Sequence, residues 1–209
     1  MVICPSGGET TLFFASGAAP EHGRDCAVKY PKEVVLTNCT EVSIRPLRPE
    51  DEGRLRAFYE EVPEIDRWYM RFDVRDPEVI GAWARGGQDV FSIVAECGER
   101  IIAHARLHTH RYGCYHHQGR LRIIVLPDFR QKRLGSWMLL DLIRYAMEKG
   151  LREVRADFVV GVEDAAIESA RKLDFFKKAL LEDFVIGPDG ALHDLLIMTK
   201  QLHKDWGDF

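Results

Sequence analysis

No apolar run in this chain approaches the ~20 residues that a bilayer-crossing helix needs, and Met1 to Pro20 lacks the basic start and unbroken apolar stretch of a secretory signal. There is no CxxC pair. The five cysteines (Cys4, Cys26, Cys39, Cys97 and Cys114) are odd in number and widely spaced, so reduced thiols and a cytoplasmic location are expected. Strong charge of either sign is missing as well: 29 basic residues stand against 33 acidic ones, a net charge of −4. Such a chain has no global attraction to nucleic acid or to an anionic membrane, so neither is expected as a partner and any basic site has to be local. Internal repeats and low-complexity tracts are absent too.

What is present suits one well-packed domain with a short appendage: 209 residues, 46% of them hydrophobic. Residues 1–24 are rich in Gly, Ser, Ala and Thr, and only "TLFFAS" within them has strand character, so residues 1–40 are read as an extension that starts a β-hairpin, and 41–209 as the domain proper. "EVVLTNCTEVSIRPL" gives two β-branched runs around Asn38, a hairpin ending near Arg45. Pro49, Glu50 and Asp51 then start a helix with Leu55, Phe58 and Tyr59 on its apolar face. "DRWYMRF" and "PEVIGAWARG" read as shorter helical pieces. "VFSIVAECGERIIAHARLH" is a strand pair turning at Gly98. "GRLRIIVL" is a strand with Leu121, Ile123 and Val125 on one face and Arg120, Arg122 and Ile124 on the other. A helix from Gly135 to Lys149, the strand "VRADFVV", the helix "EDAAIESARKL" and two closing strands about the turn "PDG" complete the chain.

The stretch "VLPDFRQKRLGSWMLLDLI" joins a strand to a helix through a basic loop. A pyrophosphate needs converging N–H donors, and the first turn of a helix offers unpaired ones at a positive dipole end. Residues Arg130, Gln131, Lys132, Arg133, Leu134, Gly135 and Ser136 stand in that place. If residue 133 is left-handed, a non-glycine there costs ~1 kcal/mol; if right-handed, nothing. A solvated basic turn before an amphipathic helix is the plainer reading of the same residues.

Taken together, the element order and the loop resemble the GCN5-related N-acetyltransferases over roughly Val42 to Leu202. The family loop reads Gln or Arg, two residues, Gly, one residue, Gly or Ala, which falls here on Arg130 to Gly135 with Arg133 in place of the first glycine. "IRPLRPEDEGRLRAFYEEV" and "HDLLIM" resemble more particularly the acetyltransferase domains associated with acyl-CoA synthetase-like protein lysine acetyltransferases. The resemblance implies an α+β fold, a central twisted mixed sheet of six to seven strands flanked by helices. It implies acetyl-CoA as acyl donor, no metal, and direct attack by a primary amine, from a small molecule or a protein lysine, in a ternary complex. A homodimer through the last strands is compatible with it.

The resemblance also assigns roles. Backbone groups of Ile123, Ile124 and Val125 meet the pantetheine arm and the thioester carbonyl, where an N–H would stabilise the oxyanion. The family's later pattern begins at Glu163, a further cofactor-binding candidate. Its usual glutamate base falls on Arg120, and its tyrosine acid on Ala170. A lysine amine with a pKa of ~10.4 is rarely neutral at pH 7, so a base is useful. Relocated candidates are His108, Tyr115 and His116, in the segment 104–117 that holds five of the eight histidines, and Asp157. The plainer reading is a wet polar loop and a surface carboxylate. His108-x-His110 and Cys114-x-His116 carry zinc-type ligands without a known spacing, and no metal is expected. Arg120 and Arg122 either favour an anionic acceptor or pair with neighbouring carboxylates. Trp68, Tyr69 and Phe72 either border the acceptor cleft or pack on the sheet. The alternative to an enzyme is a catalytically weak or inactive acyl-CoA-binding regulatory module.

Overall fold

Period-two apolar patterning yields strands, period-3.6 patterning yields helices, and the computed structural model combines them in one eight-stranded sheet with helices on both faces. The structure describes residues 29–37, 40–87 and 89–202, so "TLFFAS", Cys4, Cys26 and Cys39 lie outside the described residues. β1 (Lys32–Val35) and β2 (Glu41–Pro46) form the expected hairpin. Then come α1 (Glu52–Glu61), α2 (Glu64–Trp68), α3 (Pro77–Arg85), β3 (Val90–Cys97), β4 (Arg100–His108) and β5 (Gln118–Val125). α4 (Leu134–Glu148), β6 (Glu153–Val159), α5 (Asp164–Arg171), β7 (Phe176–Ile186) and β8 (Leu192–Gln201) follow. The strand order is β1-β2-β3-β4-β5-β6-β8-β7, antiparallel except for β5 against β6. One strand more than expected enters because β1 extends the sheet beyond β2, held against α4 by Lys32 on Asp141 at 2.7 Å.

Each face has its own core. α4 and α5 bury Met138, Leu142 and Ile167 against Ala103, Leu107 and Leu121. α1 and α3 bury Phe58, Tyr59, Ile80 and Trp83 against Val94, Ile101 and Ile124. Residues 121 and 124 thus fall on opposite faces, as the alternation of β5 requires. The start of α1 is clamped by a buried ion network: Arg45 reaches both carboxylate oxygens of Asp51, at 2.6 and 2.8 Å, and both oxygens of Glu96 at 2.9 Å.

"DRWYMRF" is helical only to Trp68; Tyr69 to Phe72 leave the helix. Tertiary contacts outweigh local propensity there. The Trp68 indole N–H donates to the Ile186 carbonyl at 2.9 Å, and the Phe72 ring sits edge-on to Trp83, 5.9 Å away.

Candidate functional site

β5 and β6 pair only from Gln118 on Glu153 to Leu121 on Ala156. Beyond that point β5 continues against β4 as far as Val125, and β6 against β8 as far as Val159. The two parallel strands therefore part, and backbone groups of Arg122 to Val125 are freed from the β6 side. The opening is a cleft of about 370 Å³, floored by β5 and β6 and walled by the loop into α4 on one side and by α5 on the other.

The loop owes its shape to two strained residues. Gln131 and Arg133 have φ of 58° and 68°, left-handed for non-glycine residues, and Arg133 is the N-cap of α4. Its helix has no side-chain cap and no acidic residue in its first turn, so the N–H groups of Leu134, Gly135 and Ser136, three residues that line the cleft, have neither an intrahelical partner nor a capping side chain. A Cβ at Gly135 would have only the Val125 side chain within contact range, at 3.9 Å. Arg130 braces the loop: its Nε donates to the Val125 carbonyl at 2.9 Å and its Nη2 pairs with Asp66 of α2. Arg133 is exposed, and among the described residues no hydrogen bond or ion pair engages its guanidinium.

Ile123, Ile124, Val125, Arg130, Gln131, Arg133, Leu134, Gly135, Ser136 and Glu163 all line this cleft. Lys132 turns away, its Nζ on the Asp128 carbonyl at 2.5 Å and 5.5 Å from the centre of the Phe129 ring. Glu163 ties the cleft's far wall together: one oxygen accepts the Val159 N–H and the other pairs with Arg122, both at 2.9 Å.

The four residues singled out as catalytic candidates are not brought together. Asp157 lines the cleft, but its oxygens are occupied by Arg155 at 2.6 Å, Arg120 at 2.8 Å and Arg71 at 2.9 Å. Burial lowers the Arg120 pKa to about 10, Asp157 opposing. His108 ends β4, directly across the ladder from Arg120 and stacked on Phe72. Burial, then Arg106, Arg120 and His110, bring its pKa down to about 4, so it is an unprotonated acceptor at neutral pH. Tyr115 and His116 lie on the exposed loop before β5, and His116 borders a separate cavity of about 180 Å³ beside Tyr145 and Lys149. Among the described residues no cluster of His, Cys, Asp and Glu is placed to hold a metal ion.

Several residues of the site were not singled out from the sequence. Asp66 contributes through an ion pair spanning 64 positions, which leaves no local signal. Ala165, Ala166 and Ser169 form a cleft wall beside Ala170, the position on which the family's tyrosine falls. Their small side chains at one-turn spacing in "DAAIESA" were the available signal. His104 and Arg106 alternate on β4 toward the face of α1 and α3, where burial holds the His104 pKa well below its ordinary value and lowers that of Arg106.

A sheet splayed at one parallel pair, with a helix N-terminus at the gap, makes a cleft suited to an anionic ligand. The profile of the acetyltransferase (GNAT) family matches residues 52–175, and the chain belongs to that family. Its sequence and fold are those of an acetyltransferase of that family. Among similar solved structures is the GNAT-family acetyltransferase from Streptococcus pneumoniae, with 19% identity and a TM-score of 0.66, covering 77% of this chain and 99% of that one. Another is yncA from Salmonella typhimurium with its cofactor acetyl-CoA, with 20% identity and a TM-score of 0.67, covering 80% and 98%. The GNAT domain of PAT from S. lividans has 20% identity and a TM-score of 0.66, covering 83% and 100%. No curated protein matches the chain.

Proposed function

We propose that this chain transfers the acetyl group of acetyl-CoA to a primary amine by direct attack in a ternary complex. The observation that carries this reading is the β5–β6 splay meeting the N-terminus of α4, which gathers free backbone donors in one cleft. Residues Arg133 to Ser136 would hold the pyrophosphate by N–H groups and the helix dipole. The backbone of Ile123 to Val125 would bind the pantetheine arm and stabilise the developing oxyanion. Acetyl-CoA brings the activated thioester; the chain's own residues orient it, keep water out and take the amine proton.

His108 is the proton acceptor we favour. It stands across the ladder from Arg120, where the family carries its glutamate, and it is unprotonated at neutral pH. Asp157 is already occupied by three arginines, while Tyr115 and His116 border another cavity or the open surface. His108→Gln should lower kcat by 10²- to 10⁴-fold at pH 7 and leave acetyl-CoA affinity unchanged. Release of thiol that no amine accelerates, in protein that binds acetyl-CoA, would establish the regulatory-module reading instead.

Two further points belong to the proposal. Cys97 and Cys114 are free thiols, which supports a reducing, cytoplasmic setting. The edge strand β7 exposes Phe176, Phe184 and Ile186, which supports pairing with a second copy there, a state that sedimentation would detect.

A further inference from the structure

On the sheet face covered by α1 and α3, β4 presents His104, Arg106 and His108 at every second position, directly opposite Ile124, Arg122 and Arg120 of β5. Arg106 is 4% exposed, and among the described residues no salt bridge or hydrogen bond engages its guanidinium; Nη1 is buried without any partner. The guanidinium stacks on Trp83, 3.5 Å from the ring centre, with Phe72 at 6.0 Å on the surface side. Among the described residues, the carboxylates that line the donor cleft beside Arg122 are committed elsewhere, Asp157 to Arg71, Arg120 and Arg155, and Glu163 to Arg122. Beside it His104 shares Nδ1 with the Tyr59 hydroxyl at 2.8 Å, while its buried Nε2 has no partner among the described residues.

A buried cation with no counter-charge is among the costliest groups a fold can keep, and removing such a charge usually stabilises the protein. Stacking on Trp83 offsets part of the cost but leaves the edge of the fork unpaired. The missing component is an anion of planar, bidentate shape, which is the geometry a guanidinium recognises in a carboxylate.

We propose that Arg106, with His104 at its side, binds the carboxylate of the acetyl acceptor, so that the substrate is a small amino acid and not a polyamine or a protein lysine. The inference rests on the acetyltransferase reading above. Arg122, the cross-strand neighbour of Arg106, lines the donor cleft, and adjacent strands lie ~4.8 Å apart. An amine and a carboxylate a carbon or two apart bridge that gap; a polyamine would set a second cation against Arg106. Phe72, half exposed on the loop between α2 and α3, covers the guanidinium and has to swing aside to admit the ligand.

The test uses the full chain with acetyl-CoA and a panel of free L-amino acids, their carboxamides, spermidine and a lysine peptide with blocked ends. The wild type should prefer acid over carboxamide by 100-fold or more in kcat/KM. Arg106→Met should bring that ratio close to one without changing acetyl-CoA affinity, and Arg106→Lys should restore part of it. In the absence of ligand, Arg106→Met should also unfold at a higher temperature than the wild type; an arginine with a merely structural role would shift the midpoint down. Equal use of acids and carboxamides, or a better rate with spermidine or the peptide, overturns the carboxylate site and leaves the acetyltransferase standing. Failure of every amine to accelerate thiol release from bound acetyl-CoA overturns both.

Discussion

Arg133 shows how one residue trades stability for binding. Its left-handed backbone costs about 1–2 kcal/mol, which glycine would recover less the ~0.4–1 kcal/mol of freedom glycine adds to the unfolded chain. Arg133→Gly should therefore stabilise the free protein by about 0.5 kcal/mol. It should also weaken acetyl-CoA about tenfold in a calorimetric titration, because an unengaged guanidinium at the cleft is lost and a hydrogen bond to a charged group is worth ~1.5–3 kcal/mol. Tighter binding by the variant would show the arginine to be an obstruction. His108 makes the second prediction at this scale. Its folded pKa of about 4 lies below the unfolded value near 6.5, so between those pH values the unfolded chain holds the extra proton. Stability is full above pH 6.5 and falls as the pH drops toward 4; His104 acts in the same direction. Denaturation midpoints measured at pH 7 and pH 5 should differ less in His108→Gln than in the wild type. The glycine pattern of the loop was legible in the sequence, and its departure at residue 133 was too. The sign of φ was not, because it depends on where β5 delivers the chain and where α4 begins.

Among the elements, α1 depends on charges outside itself. Asp51 accepts two hydrogen bonds from the Arg45 guanidinium and one from the Arg48 N–H, and Arg45 holds it below the ordinary carboxylate range. Asp51→Ala leaves Arg45 buried with Glu96 as its one remaining counter-charge among the described residues, and should cost about 3 kcal/mol in urea unfolding with an unchanged m-value. A loss below 1 kcal/mol would show that Glu96 and Arg54 suffice. Helix α1 itself was readable from Pro49, Asp51 and the apolar spacing Leu55, Phe58, Tyr59, which are local signals. The end of α2 was not: its last residue, Trp68, bonds the carbonyl of Ile186, 118 positions away.

For the molecule as a whole, the weak seam and the donor site coincide. Among the described residues the halves β1–β5 and β6–β8 pair across the sheet over the short Gln118–Leu121 stretch, and beyond it they are tied by the side-chain ion pair of Arg122 with Glu163, so a ligand seated in the gap braces both. Acetyl-CoA at 100 times its Kd should add ~2.7 kcal/mol, raising the unfolding midpoint by about 5–10 °C in a thermal scan. Coenzyme A should retain most of that shift if the α4 N-terminus carries the affinity; an unmoved midpoint would mean the cleft does not hold the donor.

The sequence alone determined the order of strands and helices, the two faces of β5 and the loop that opens α4, because alternation, helical spacing and turn chemistry act over a few residues at a time. It also carried the family. Tertiary structure alone decided that Asp157 is surrounded by Arg71, Arg120 and Arg155, that His108 and His116 belong to different parts of the molecule, and that Arg106 is buried without a counter-charge among the described residues. Those facts depend on pairings between distant strands, and an electrostatic partner is set by proximity in space, which residue spacing along the chain does not encode.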